Sequence, residues 1–268
     1  MDNTELFYDF DELKMYFGED YWVTDKICIH CPTVGDILEF GDTKFYSMIN
    51  LLCANPTTLR LQLWRNGYDW NEISDFDLFA RIIAPSMTPD NTSLLFDNLN
   101  FSWFEYYYNN KAKCNELVYV PHDEHDNPIH VDYEETPVIN ELIYLKIIKY
   151  LCIMFNLNPK VEHAKNKATK EAIIWEDEIN EKIQEKKIKD REYSKSFLLP
   201  LISAMVNHPG FKYKTNELKE IGIVQFMDSV QRLQVYESTR ALLQGSYSGF
   251  CDVSKLPKDE FNFMRELK

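Results

Sequence analysis

The chain has 268 residues, a formal net charge of −14, an apolar fraction of 45% and an aromatic fraction of 14%. This composition is typical of a folded globular protein. The negative charge argues against a nucleic-acid-binding surface, because such surfaces depend on Lys and Arg. Residues 1–110 carry 18 acidic and 6 basic side chains. An acidic surface without a recognisable catalytic motif indicates a protein that meets other proteins.

Helical signals dominate the first hundred residues. Thr33-Val-Gly-Asp36 has the pattern of a capping box at the start of a helix. A second helix is expected from about Thr43, since apolar residues recur at helical spacing after it. Ser74 is expected to cap a third helix. The sequence therefore predicts an acidic N-terminal helical domain over residues 1–113.

A dense aromatic cluster, Phe101-Ser-Trp-Phe-Glu-Tyr-Tyr-Tyr108, closes this domain. Stacking on nucleic-acid bases is not expected, since no basic residues interleave with the rings. The cluster is read as a core helix or as a hydrophobic contact surface for a protein partner. In the second reading, Trp103, Phe104 and Tyr107 bind the partner.

Strand composition appears only in the next segment. A β-hairpin insertion is predicted over residues 114–137, with strands at 117–120 and 129–133 around a polar loop at 121–128. A core helix is predicted over residues 138–159, because the segment is apolar on most sides. Glu141, Lys146 and Lys149 interrupt it, which disfavours a membrane span.

Residues 160–195 interleave 10 basic and 9 acidic side chains. A charged connector helix is predicted here, with one narrow apolar stripe formed by Ala168, Ala172, Trp175, Ile179 and Ile183. Two readings of the stripe stay open. It either faces a partner or packs along the domain that the helix belongs to.

The last segment, residues 196–268, is predicted to be a C-terminal helical domain. Ser196 is expected to cap a helix that tolerates Pro200 in its first turn. A further helix is expected to end near Gly245. Its apolar face is a second candidate partner-binding surface, formed by Phe226, Met227, Val230 and Leu233.

Metal binding has weak support from the Cys28-Ile-His-Cys31 spacing and from the histidines of the polar loop. The candidate ligands are Cys28, Cys31, His122, His125 and His130. However, strand alternation places Cys28 and His30 on one face and Cys31 on the other. No cofactor is expected, since no glycine-rich phosphate loop is present. The acidic start of the chain is unlike a secretory signal, which favours free thiols in a reducing cytoplasm.

Several segments resemble proteins from the tail-morphogenesis modules of bacteriophages of Gram-positive hosts. In the N-terminal third they are Pro32-Thr-Val-Gly-Asp-Ile-Leu-Glu-Phe-Gly41, Asn66-Gly-Tyr-Asp69 and Ser74-Asp-Phe-Asp-Leu-Phe79. Near the end they are Pro200-Leu-Ile-Ser-Ala-Met-Val-Asn207, Gly210-Phe-Lys-Tyr213, Ser229-Val-Gln-Arg232, Gly245-Ser-Tyr-Ser-Gly249 and Phe261-Asn-Phe-Met-Arg265. Residues 116–195 have no counterpart in that group.

The resemblance implies a non-enzymatic tail assembly chaperone. Such a chaperone holds the long, apolar tape measure protein soluble in the host cytoplasm until the tail tube forms around it. The alternatives are a structural virion component, such as an adaptor or baseplate protein, and a zinc-stabilised binder or metal-dependent enzyme. The fold expected is mainly α with a small β-hairpin insertion, in helical bundle-like parts joined by the charged helix. Neither nucleic acid nor membrane is an expected partner, and a homo-oligomer is possible.

Overall fold

A computed structural model describes residues 10–123, 125, 127–129, 132–189, 196–248 and 256–267. Helix accounts for 55% of the structure and strand for 11%, so the predicted mainly α fold with a small β part is confirmed. The helices are α1 (Glu12–Tyr16), α2 (Val34–Phe40), α3 (Asp42–Leu52), α4 (Arg60–Arg65), α5 (Asp75–Leu78), α6 (Pro89–Phe96), α7 (Glu141–Met154), α8 (Lys167–Lys189), α9 (Leu198–Val206) and α10 (Ile223–Tyr247). The strands are β1 (Tyr21–Thr24), β2 (Ile27–Ile29), β3 (Phe104–Asn109), β4 (Cys114–Tyr119) and β5 (Val138–Asn140).

The chain forms two compact units, and each is built from separate stretches of sequence. The first unit contains residues Met1–Asp11, Asp20–His30 and Thr43–Lys195. The second contains Glu12–Glu19, Cys31–Asp42 and Ser196–Lys268. Among the residues described, no helix combines the length and the apolar character that crossing a lipid bilayer requires.

Helix α7 contributes a buried face to the first unit, but it is shorter than the core helix predicted over residues 138–159, because Val138–Asn140 form β5. Asn140 caps its start, since the side-chain oxygen accepts a hydrogen bond of 3.0 Å from the backbone N–H of Ile143. Tyr144, Ile147, Tyr150 and Leu151 are all buried. Tyr150 stacks on Tyr21 of β1, with ring centroids 4.5 Å apart. Helix α3 adds a second buried face from Phe45, Met48, Ile49 and Leu52, the positions predicted for it.

The second β element of the first unit differs from the predicted hairpin. β3 pairs antiparallel with β4, from Phe104 opposite Tyr119 to Asn109 opposite Cys114, and β5 pairs with the other edge of β4. The aromatic cluster, read as a core helix or as a contact surface, is a short 3₁₀ turn followed by β3, so the helix reading is wrong. Aromatic side chains favour a half-buried strand over a helix. This preference accounts for the strand at this position.

The predicted second strand at 129–133 is also wrong in its position. Ile129 lies outside any strand, and 133–135 form a 3₁₀ turn, while His130 and Val131 are outside the described residues. β5 takes the place beside β4. Within the polar loop, His122 and Pro128 form an isolated antiparallel β-bridge.

The second unit is organised around α10, a helix of 25 residues. The predicted capping box at the start of α2 is confirmed: the Thr33 hydroxyl accepts from the Asp36 N–H at 3.1 Å, and the Asp36 carboxylate accepts from the Thr33 N–H at 2.8 Å. α2 is tied to the segment before α10 by a 2.9 Å hydrogen bond from Val34 N–H to Ile221 O. Gly35 is required here, because an added Cβ would lie 2.7 Å from the carbonyl oxygen of Lys219.

Two further predictions concern helix ends in the second unit. Ser196 caps α9, since its hydroxyl accepts from Leu199 N–H at 3.0 Å, and Pro200 lies in the first turn as expected. Gly245 does not end α10, which continues to Tyr247. Glycine lowers helix propensity but does not by itself stop a helix.

Candidate functional site

Helix α8 is attached to the first unit through its charged side chains. The Arg60 guanidinium of α4 donates to Asp177 through Nε (2.5 Å) and Nη2 (2.8 Å), and to Glu162 through Nη1 (2.7 Å). Arg60 and Asp177 are each about one-fifth exposed, so the pair is partly desolvated. The hydrogen bonds to Asp177 outweigh the cost of burial and raise the pKa of Arg60.

Two more ion pairs lie on the same face of α8. Arg65 of α4 forms a two-bonded pair with Glu181, at 3.0 and 2.5 Å. The Lys170 ammonium contacts Asp69, and this pair holds the pKa of the Asp69 carboxyl below its usual range. Ile174 is the one residue of α8 that is fully buried among those described. The helix that sequence predicted as a connector therefore packs on α4 of the first unit, mainly through polar groups.

The apolar stripe of α8 points away from this attachment. Trp175 is 67% exposed and Ile183 is 45% exposed. Ala168 and Ala172 are exposed as well, and Ile179 is half-buried. Successive residues of a helix are rotated by about 100°, which places this stripe opposite Lys170, Ile174, Asp177 and Glu181. Of the two readings of the stripe, the structure supports the outward-facing one.

Glutamates border the stripe on both sides. Glu171 lies on one edge and Glu176 on the other, while Glu178 and Glu185 lie further round the helix, towards Arg65. Lys182 and Lys186 fall at the C-terminal end, so the acidic border is strongest over the first turns. Two parallel copies of this surface would bring glutamate against glutamate, which opposes parallel pairing of the stripe with itself. A surface of this kind is complementary to an apolar helix with basic flanks.

The second unit contains a groove of about 800 Å³ beside α10. Its apolar lining consists of Tyr16, Met205, Phe211, Tyr213, Leu233, Tyr236, Phe263 and Met264. Arg232 secures one wall, since its guanidinium donates to the carbonyl oxygens of Phe263 (3.1 Å) and Arg265 (2.7 Å). Lys212, Asp228 and Glu237 place charge at the rim. A groove with flexible Met and aromatic walls suits an apolar side chain of a partner.

The predicted partner-binding residues divide between core and surface. Phe226 is fully buried, and Phe104 is buried against Phe101, with stacked rings 5.7 Å apart. Met227, Val230 and Leu233 are half-buried, and Leu233 lines the groove. On the sheet, Tyr107 is 47% exposed and lines a separate cavity of about 720 Å³, whereas Trp103 packs against His122.

Among the described residues, the predicted metal ligands Cys28, Cys31, His122 and His125 do not form a group of neighbouring ligand atoms. Cys31 belongs to the second unit, where its thiol contacts the carbonyl oxygen of Met15 at 3.7 Å. His122 has a buried Nδ1 without a hydrogen-bond partner among the described residues, and His125 is exposed in the loop. His130 lies outside the described residues.

A different group forms around Cys28. The thiol of Cys28, a carboxylate oxygen of Asp20 and a ring nitrogen of His30 lie within 4.8 Å of one another. Burial, with the nearby charges of Asp20 and Asp97, raises the pKa of the Cys28 thiol to about 11. Burial opposes protonation of His30, but its hydrogen bonds to Asp20 and Asp97 outweigh this and raise its pKa. Sequence analysis had not included either aspartate.

Comparisons of the chain with protein-family models, with curated proteins and with solved structures found no match.

Proposed function

We propose that the protein is a non-catalytic phage tail assembly chaperone that binds an amphipathic helix of the tape measure protein in the host cytoplasm. The observation that carries the proposal is the outward-facing stripe of α8, with Trp175 67% exposed. A side chain of that size leaves water favourably when it meets an apolar partner. The tail-protein identity of the partner rests on the sequence resemblance.

The attachment of α8 supports this function. Its inner face is fixed by Arg60, Arg65 and Lys170, so the apolar face is presented in one orientation and on a regular helix. A preorganised face loses less conformational entropy on binding than a disordered segment does. The groove lined by Leu233 offers a second apolar contact for a long client.

The net negative charge of the protein accounts for the solubility of its complex with the client. The formal net charge of −14 keeps a complex of chaperone and client dispersed while apolar surface is being transferred between them. The glutamates along the first turns of the stripe favour a client helix with basic flanks.

The test is co-expression with the tape measure protein encoded in the same phage genome, with the soluble fraction of that protein as the readout. We expect the parent chain to keep the tape measure protein soluble. The double variant Trp175→Glu, Ile183→Glu should lose this effect while its circular dichroism and unfolding midpoint stay unchanged. Val161→Glu is the matched control, because Val161 is 66% exposed in the same unit but lies outside the stripe.

Two outcomes contradict the proposal. If the double variant keeps the tape measure protein fully soluble, α8 is not the binding surface. Recovery of the protein in stoichiometric amounts from purified virions would identify a structural component of the particle instead of a chaperone.

A further inference from the structure

The outer face of the β1–β2 hairpin carries side chains of the types that bind transition metals. In the antiparallel register, Trp22 lies opposite Cys28 and Tyr21 lies opposite Ile29. Ile27 and Ile29 face the core and are fully buried, so Cys28 and His30 share the outer face. Asp20 falls beside His30, where its carboxylate lies 2.9 Å from the ring Nδ1.

The His30 ring is held from its far side. Its Nε2 lies 2.7 Å from a carboxylate oxygen of Asp97, the residue that follows α6. Metal-binding histidines characteristically donate their second ring N–H to a carboxylate, which fixes the ring and makes the free nitrogen a better ligand. With Asp97 on Nε2, His30 Nδ1 is the nitrogen that faces Asp20.

We propose that Asp20, Cys28 and His30 bind a zinc ion, with Asp97 positioning the His30 ring. One thiolate, one imidazole and one carboxylate form a borderline-soft donor set, which suits Zn²⁺ and disfavours Mg²⁺ and Ca²⁺. Three protein ligands leave one tetrahedral position for water. The ligand atoms already lie within 4.8 Å of one another, so small rotations of side chains complete the site.

The bound ion would cross-link parts of the first unit. Asp20 immediately precedes β1, Cys28 lies in β2, and Asp97 extends the connection to the end of α6. His30 already donates its backbone N–H to the carbonyl oxygen of Leu95 at 2.9 Å, so this end of β2 and α6 are close. The proposal is independent of the chaperone function.

Cobalt titration of the full chain tests the site. The protein is first stripped with a chelator and kept reduced, and Co²⁺ is then added as a spectroscopic substitute for Zn²⁺. We expect one equivalent to give a near-ultraviolet thiolate-to-cobalt band and visible bands of tetrahedral cobalt, both removed by added Zn²⁺. Cys28→Ser should abolish the thiolate band.

Cys114→Ser is the matched control. Cys114 is also partly exposed, and its thiol lies 3.6 Å from the Glu116 carboxylate, but it is not part of the Asp20–Cys28–His30 group. The band should persist in this variant. Asp97→Asn should keep the band and weaken the affinity by about 10- to 100-fold, as expected for a carboxylate that orients a ligand.

Two results would overturn the site: absence of a saturable thiolate band in the parent chain, or its persistence in Cys28→Ser. An unchanged affinity in Asp97→Asn would overturn the positioning role of Asp97. Circular dichroism of each stripped variant separates loss of metal binding from loss of fold.

Discussion

Asp77 in α5 connects two distant parts of the first unit through one carboxylate. One oxygen accepts a hydrogen bond from the Tyr106 hydroxyl at 2.7 Å, and the other accepts from the Ser74 hydroxyl at 2.8 Å. The Arg81 guanidinium lies 3.5 Å from the same carboxylate and 4.6 Å from the centre of the Tyr106 ring. These contacts favour the charged form, and the Tyr106 hydrogen bond is the largest cause of the lowered pKa of Asp77.

Substitution of Asp77 should therefore have a pH-dependent effect on stability. A carboxyl whose folded-state pKa is depressed contributes stability above its unfolded-state pKa and loses it as the pH falls through the folded-state pKa. We expect Asp77→Asn to lower the free energy of unfolding by about 1–2 kcal/mol at neutral pH. The difference from the parent should shrink at acid pH, as the pH falls through the folded-state pKa and the parent carboxyl becomes protonated as well.

Urea titrations of both proteins at the two pH values provide this measurement. Asp25→Asn is the control, because Asp25 is exposed, and its substitution should change stability little at either pH. An equal loss at both pH values for Asp77→Asn would show that the charge of Asp77 does not contribute.

Residue-scale predictions from sequence succeeded where the interaction is local. The Thr33–Asp36 capping box and the Ser74 cap each join residues three positions apart, so the pattern is readable in the chain. The Tyr106–Asp77 hydrogen bond joins residues 29 positions apart. It depends on the register of β3, which sequence analysis did not predict as a strand.

The salt bridges of α8 fix the orientation of that helix, and Arg60 forms two of the ion pairs at this contact. Replacing Arg60 with Ala leaves Asp177 without its cation at a partly buried position and also removes the cation from the exposed Glu162. We expect a loss of about 2–3 kcal/mol in the free energy of unfolding, accompanied by faster amide hydrogen exchange along α8. Lys167→Ala should cost less than about 0.5 kcal/mol, because its pair with Glu171 is solvent-exposed.

Hydrogen exchange read by mass spectrometry distinguishes a local effect from a global one. Faster exchange confined to α8 would support the role of Arg60 in attaching the helix. Unchanged exchange in α8 would show that the buried Ile174 and the other ion pairs suffice for attachment.

Element-scale predictions succeeded for long helices and failed for strand pairing. α3 and α7 have buried faces where apolar periodicity placed them. The pairing between β3 and β4 was not predicted, because a cluster of aromatic residues does not indicate which residues of two strands lie opposite each other. The orientation of α8 was not predictable either, since periodicity locates an apolar stripe without saying whether the fold or a partner covers it.

The uneven distribution of acidic residues along the whole chain should affect how fast the protein associates with a partner. Residues 1–110 hold 18 acidic against 6 basic side chains. Long-range attraction to a basic client helix should raise the association rate constant at low ionic strength. We expect that constant to fall roughly tenfold between low salt and about 0.5 M salt, with a smaller change in the dissociation rate constant.

Stopped-flow mixing with a soluble fragment of the tape measure protein provides the rate constants. The double variant Glu171→Gln, Glu176→Gln should show a weaker dependence on salt, since it removes charge beside the stripe. A salt-independent association rate in the parent chain would exclude electrostatic steering.

At the scale of the molecule, the pattern of helical and strand signals along the sequence was enough to predict the fold class, which is mainly α. It contained no information about the interleaving of segments. The second unit draws on three stretches of the chain, and the hydrogen bond from Val34 to Ile221 joins residues 187 positions apart within it. Such pairing follows from tertiary contacts that a linear division of the sequence does not include.

The two faces of α8 are subject to different evolutionary pressures. The Arg60–Asp177 pair contributes to the attachment of α8, so relatives should retain it or exchange both members together. Folding places no such demand on Trp175, which is exposed to water. In a lineage without a partner, random substitution would replace this tryptophan with polar residues within few mutational steps. Retention of an aromatic residue there among distant relatives would therefore record selection by a binding partner, independently of any biochemical assay.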